Sequence, residues 1–414
     1  MNTVGIIAEY NPLHRGHAYH IRKSRSLAEA DAVISVISAN FVQRGLPSLA
    51  DKSLRAAMAL SCGADLVLEL PVVFSSHNAG IFANAAVDIL AATGLTSAIS
   101  FGMETPDPSM LRAIADALNE EPPAFKGSLK KFLRAGHSFV QSRSLALEES
   151  LPGSLAFLKS PNNSLAASYV KRIREKGYGM AAFAVERAGA GFHDEKLPDG
   201  DAAASAAAIR ALLRQGEAER AFPLMPDESA GLLRGALEAG RLADCHSRLW
   251  LAVRHAILRE GAEGMRKISE MGEGLENRML DSAWRSGSFE SFVAACVSRR
   301  YTAGRIQRHA MHLLISLGHE ESRRFQRLGP AYIRVLGANG TGRKLLSLMR
   351  KTASLPVISR ASVPKRAPDS FTGVSGVSDA SRMMEIECRA TEIWEMLTDS
   401  PEIRSEARRV PVIK

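Results

Sequence analysis

Short apolar runs alternate with amphipathic stretches through the first hundred residues. Val-Gly-Ile-Ile-Ala at 4–8 predicts a strand, then a turn through Asn11-Pro12 and a helix over 17–28. The β-branched run at 32–38 predicts a second strand, and the spacing of Leu54, Ala57, Met58 and Leu60 a helix over 51–61. A third strand over 66–70, a helix over 79–90 and a fourth strand ending at 98–101 follow. Strands that alternate with helices predict a parallel sheet in a doubly wound α/β domain.

The pattern then loosens. A helix over 165–175, a strand over 180–185 and a helix over 203–214 stand out before Pro223 and Pro226 interrupt. A boundary there divides the chain into residues 1–222 and 223–414. From 228 to about 350 apolar residues recur at helical spacing, which predicts a mostly helical second domain. Val357-Ile358 reads as a short strand returning to that domain, 362–378 as a Ser/Pro/Gly-rich loop and 383–397 as a last helix.

Composition adds limits. Hydrophobic residues make up 46% and charged residues 23%, an ordinary balance for a folded chain. No run of 18 apolar residues predicts a transmembrane helix, and the first apolar run is too short for a signal-peptide core. The expected location is the cytoplasm, with no membrane and no protein partner implied. Cys62, Cys245, Cys296 and Cys388 lie far apart without CxxC spacing, so neither a disulfide framework nor a zinc knuckle is expected. Net charge is +9, yet residues 299–366 alone carry fifteen Lys/Arg against Glu320 and Glu321. Such a concentration favours an anionic partner. Arg299, Arg300, Arg305 and Arg308 are the candidate nucleic-acid contacts, with Tyr301 available to stack on a base. Solvated helix faces are the plain alternative.

The chemistry sits at His14-x-Gly16-His17, directly after the first strand and at the start of a helix. Ligands bind at that place in such sheets. Gly16 lets backbone approach a phosphate, and the helix start favours an anion. His14 and His17 are the candidate catalytic residues. As hydrogen-bond donors they would stabilise charge that grows when a nucleophile attacks the α-phosphorus of a nucleotide. Structural capping by the pair is the alternative.

His-x-Gly-His after strand one resembles the signature of the nucleotidylyltransferase superfamily. Residues 4–17 are similar to the opening of bacterial tRNA(Met) cytidine acetate ligases. So are the segments 40–45, 65–71, 101–104, 161–163, 187–194, 205–210, 300–308 and 332–337, which keep their order over most of residues 1–350. The resemblance implies a Rossmann-like nucleotidylyltransferase domain with a mostly helical, basic C-terminal domain. It implies activation of acetate by ATP to acetyl-adenylate, then acetylation of N4 of the wobble cytidine of elongator tRNA(Met). Mg2+ is expected with ATP, its ligands not identifiable from sequence. The implied ATP loop is Ile7, Ala8, Glu9, Tyr10, Asn11, Pro12, Leu13, His14, Arg15, Gly16, His17, Ala18, Tyr19 and His20. Gly102, Asn162 or Asn163, and Arg187 are implied nucleotide contacts, with Ser205 and Arg210 facing the phosphates from a second helix. A turn, a helix cap and surface ion pairs are the ordinary alternatives for these. The chain departs from the family's usual residues at Ala39, Leu46, Met103, Ser164 and Phe192.

Two patterns are set aside. Residues 337–342 imitate P-loop glycines, but Arg343 and Lys344 follow where Lys and Ser/Thr are needed, and no preceding strand is evident. They read as a turn between helices. His309 and His312 are spaced i, i+3 without a visible third ligand, so no metal site is expected. Two other functions remain open: an adenylyltransferase for a small phosphorylated cofactor precursor, and a non-catalytic RNA-binding protein on an ATP fold.

Overall fold

The computed structural model describes residues 1–137, 139–187, 204–272, 274–298, 300–361 and 378–414. Arg299, Phe192, most of 187–194 and nearly all of the expected 362–378 loop lie outside them.

The strands are β1 (Thr3–Ala8), β2 (Ala32–Ser38), β3 (Leu66–Leu70), β4 (Ala98–Met103), β5 (Ala181–Glu186), β6 (Ile333–Ala338), β7 (Val357–Ile358) and β8 (Val412–Ile413). They form one sheet in the order β5-β4-β1-β2-β3-β6-β7, with β8 beside β6. β1 to β5 are mutually parallel, as alternation with helices requires. β2 and β3 are buried along their whole length, which explains their unbroken apolar composition. From β1 the chain moves one way to β2 and β3, then to β4 on the other side. This reversal opens a crevice at the carboxyl ends of β1 and β4.

The predicted N-terminal helices occur as Arg15–Leu27, Lys52–Ser61 and Ala79–Ala92. The last two start where Asp51 and Asn78 cap them through side-chain oxygens. Four helices, Pro108–Glu120, Pro123–Arg134, Phe139–Ser150 and Ser154–Lys159, fill the region where the pattern loosened. Six more, from Asp227–Glu238 to His319–Leu328, form the helical part.

The expectation of helix on both sides of residues 337–342 is corrected. β6 runs antiparallel to β3 and is buried throughout, so the chain after residue 222 returns to the sheet that residues before 222 begin. Val357-Ile358 likewise joins that sheet, not the helical part. Asn339 caps the helix Gly340–Thr352 through Gly342 N and bonds Asp65. Arg334 can occupy β6 because Glu69 and Glu406 face it, and Lys52 reaches Glu69, Glu387 and Glu406 in the same buried network. The helical part is not separately cored: Val253, Ile257, Ile306 and Leu313 share one apolar cluster with Val36, Leu68 and Phe82.

Candidate nucleotide-binding site

Where β1 ends, Tyr10 takes a left-handed turn (φ 47°) and the chain enters Asn11-Pro12. Arg55, fully buried, donates to Glu9 O (2.7 Å), Ala39 O (2.6 Å) and Ala50 O (3.1 Å), tying the loops after β1 and β2 together. Asn11 Oδ1 accepts from Leu49 N at 2.7 Å, and Arg210 donates to Asn11 O at 2.6 Å. The loop is thus held from two helices before His14 begins the third.

His14 and His17 form a reciprocal cap. His14 Nδ1 accepts from Gly16 N (3.1 Å) and His17 Nδ1 from His14 N (3.3 Å). A ring nitrogen that accepts is unprotonated, so each neutral imidazole carries its proton on Nε2. Both rings stay neutral. Burial, then the charges of Arg187 and Arg210, lowers His14 to about 3. Burial, then His14, Arg187 and His20, lowers His17 well below its ordinary value. The rings lie 3.8 Å apart between centroids. Two N–H donors therefore stand beside two guanidinium groups.

These groups open on a cleft of about 1540 Å³. Of the sequence-derived candidates, Ile7, Ala8, Glu9, Tyr10, Asn11, His14, Arg15, Gly16, His17, Tyr19, His20, Gly102, Asn162, Arg187, Ser205 and Arg210 line it. Pro12, Leu13, Ala18 and Asn163 do not; Leu13 and Ala18 belong to the apolar core. The two asparagines separate clearly. Asn162 faces the cleft, whereas Asn163 is buried, with Oδ1 accepting from Glu104 N and Nδ2 donating to Phe157 O. Ser205 caps the helix Ala206–Arg214 through Ala208 N. His20, lowered to about 4 by burial and Arg187, lies 3.4 Å from Ser100 Oγ.

Several lining residues escaped the sequence reading. Gln43 and Arg44 follow β2, and Gln43 N donates to Glu9 Oε1 at 3.0 Å. Their segment was visible only through its resemblance. Phe82, Phe101, Leu165 and Tyr169 give the cleft an apolar side. Phe289, Val293, Val297, Ala303 and Gln307 bring the helical part to its opposite wall. Cys245 also lines it, but burial raises its thiol to about 12, which removes it as a nucleophile.

The basic candidates divide. Arg300 is exposed, and Val297 and Ala303 on either side of it line the cleft. Tyr301 does not offer an open face: it is buried, donates to Gly272 O at 2.9 Å and is covered by Arg305. Arg305 also donates to His309 Nε2 at 3.3 Å. Arg308 is half-buried, with its backbone against Gly45 of the loop after β2. The helix carrying exposed Arg343, Lys344, Arg350 and Lys351 starts beside Asp65 and ends beside Thr93, at the amino ends of the sheet. Among the described basic residues, Arg300 thus stands beside the cleft, whereas Arg343, Lys344, Arg350 and Lys351 stand at the other end of the sheet.

Residues 1–409 match the family described as HIGH Nucleotidyl Transferase. A tRNA(Met) cytidine acetate ligase of Clostridium perfringens is 33% identical over 422 residues, covering 100% of both chains. One of Caldanaerobacter subterraneus is 35% identical, covering 95% of each. The crystal structure of Thermotoga maritima TmcAL bound with alpha-thio ATP superposes with a TM-score of 0.90 at 30% identity, covering 100% of this chain and 99% of that one.

Proposed function

Because the chain belongs to the HIGH Nucleotidyl Transferase family, among full-length relatives that are tRNA(Met) cytidine acetate ligases, we infer that it is an ATP-dependent ligase acting on tRNA(Met). The observation that carries this reading is the pair of neutral histidines with Nε2–H donors beside Arg187 and Arg210 in one cleft. Donors fixed in a partly buried site stabilise charge that develops on phosphate oxygens without reorganising. The finer steps are our proposal. A carboxylate oxygen of acetate attacks the α-phosphorus of ATP, forming acetyl-adenylate and releasing pyrophosphate. N4 of the wobble cytidine then attacks the acetyl carbonyl, AMP leaves, and the amine loses a proton to give N4-acetylcytidine. Neither step needs an enzyme nucleophile; orientation and charge stabilisation suffice.

His14 and His17 would contact the phosphates, Arg187 and Arg210 neutralise them, and Gly102 and Asn162 meet the nucleoside. The helical part opposite would bring the anticodon loop over the cleft through Arg300. Among the described residues no three His, Cys, Asp or Glu side chains gather to hold a metal ion. No helix among the described residues is long and apolar enough to cross a membrane, and the cytoplasm is the proposed location. Acetate-dependent ATP–pyrophosphate exchange, with nicotinate mononucleotide as control substrate, tests the first step. Mass spectrometry of tRNA nucleosides from cells lacking the protein tests the second. Exchange driven by nicotinate mononucleotide instead of acetate would replace this reading with a cofactor adenylyltransferase. No exchange with either would leave an RNA-binding protein.

A further inference from the structure

Glu104, one residue beyond β4, is joined to the start of the helix Pro161–Lys176 by four hydrogen bonds across nearly sixty residues. Its carboxylate accepts from Asn162 N (3.4 Å), Asn162 Nδ2 (2.6 Å) and Asn163 N (3.3 Å). Its own N–H donates to Asn163 Oδ1 (3.2 Å). Ser160, at the helix N-cap, makes no side-chain cap bond, so Glu104 takes over that task from another element. Capping accounts for the two backbone bonds. It does not account for the shortest contact, which goes to the Asn162 side chain.

That contact fixes a polarity. An ionised carboxylate only accepts, so the Asn162 atom facing it must be the NH2 group. The other end of the same carboxamide is then Oδ1, and Asn162 lines the cleft next to Gly102 and Arg187. Without Glu104 the amide could present either end, because the two are nearly equal in size and shape. With it, the cleft receives an acceptor and not a donor. We propose that Glu104 is a positioning residue that sets nucleotide selectivity by holding Asn162 with Oδ1 toward the bound nucleoside, so that the site takes a nucleoside presenting a hydrogen-bond donor there.

This rests on the reading of the cleft as the ATP site. Two groups of ATP carry such a donor: the 6-amino group of adenine and the ribose hydroxyls. If the partner is the base, guanine places its 6-oxo acceptor against Oδ1, and two facing acceptors are costly. Asn163 supports the arrangement from behind: it is buried, satisfied at both ends of its amide, and holds the Glu104 backbone.

Equilibrium binding of ATP is measured on the wild-type chain, Glu104→Met, Asn162→Ala and the double variant, with thermal melts of each. Glu104→Met is expected to weaken ATP about tenfold, the scale of one hydrogen bond. The double variant should be no weaker than Asn162→Ala alone, because Glu104 acts through Asn162. Glu104→Gln keeps an acceptor for Nδ2 and should recover most of the loss, which a generic packing defect would not predict. Purine riboside triphosphate, 2′-deoxyATP and 3′-deoxyATP identify the donor: Asn162→Ala should cost nothing further for the analogue that lacks it. Equal losses from Asn162→Ala with ATP and all three analogues would overturn the proposal. So would losses from Glu104→Met and Asn162→Ala that add, while wild-type ATP binding leaves the cleft reading intact. A wild-type chain that binds no ATP would overturn both.

Discussion

Gly45 lies against Arg308 so closely that a Cβ on the glycine would sit 2.5 Å from the Arg308 Cα. Gly45 belongs to the loop after β2, and Arg308 to the helix Ala303–Leu314 of the helical part. Their contact is a joint between the two walls of the cleft. Gly45 also has φ +75°, a conformation that a side chain disfavours.

Gly45→Ala should therefore act twice, through backbone conformation and through a clash with main-chain atoms that cannot rotate away. A loss of about 1–3 kcal/mol of stability is expected, the usual scale of overpacking. Denaturant unfolding measures it. A midpoint equal to wild type would mean that the loop yields freely and that the joint does not set the cleft.

His17→Ala should reduce acetate-dependent pyrophosphate exchange by about 10²–10³-fold, the effect of removing one preorganised donor. ATP affinity should change far less, since charge on the α-phosphate oxygens is greatest in the transition state. The reciprocal bond from His14 N is also lost. His17→Asn, whose Oδ1 can accept from His14 N but whose shorter side chain does not carry a donor out to the position of Nε2, separates the two roles. If His17→Ala exchanges at the wild-type rate, the histidine is only a cap.

The first five strands were legible because apolar runs and caps recur there without competition from distant partners. β6 was not. Its Arg334 reads as a solvent-facing residue until Glu69 and Glu406, from remote segments, are seen to surround it. The four helices between Pro108 and Lys159 likewise escaped, their clear starts notwithstanding, at Asp107 and at two prolines. At the site, the His14–Gly16–His17 cap follows from neighbouring residues, and the sequence shows it. The choice between Asn162 and Asn163 depends on Glu104, which no local spacing reveals.

Acid should destabilise the fold in a defined window. His14 is lowered to about 3, His20 and His312 to about 4, and His77 and His309 below their ordinary value, with burial the leading cause in each. The unfolded chain titrates these groups near 6.5. As pH falls from 6.5 toward 4, the unfolded state gains protons that the folded state does not, so stability is present above that window and lost within it. Each group contributes a slope of about 1.4 kcal/mol per pH unit there. Unfolding free energy measured from pH 7.5 to 5 should fall, and less steeply in His312→Asn. Equal stability at both ends would show that these rings are not held neutral.

The tRNA contacts should follow position in the fold and not charge count. Each phosphate neutralised by a basic side chain releases counterions, lowering the slope of log affinity against log salt by roughly 0.7–0.9 when that side chain is removed. Arg300 is exposed between Val297 and Ala303, both of which line the cleft. In the proposed reaction the wobble base reaches that cleft from a single-stranded loop, splayed out of its stack. Arg300→Ala should thus weaken tRNA binding and flatten its salt dependence, with adenylate formation little changed. Arg305→Ala is a poorer probe, because Arg305 covers Tyr301 and bonds His309, so its loss disturbs packing as well. Arg343 and Lys344 stand at the amino ends of the sheet, beside Asp65 and away from the cleft. Replacing both by Ala should leave the salt slope of tRNA binding unchanged although it removes twice the charge. Affinities of the two variants at several salt concentrations decide the matter. A flattened slope in the Arg343/Lys344 variant, with a normal one in Arg300→Ala, would put the tRNA on the opposite end of the molecule and leave the cleft without its substrate.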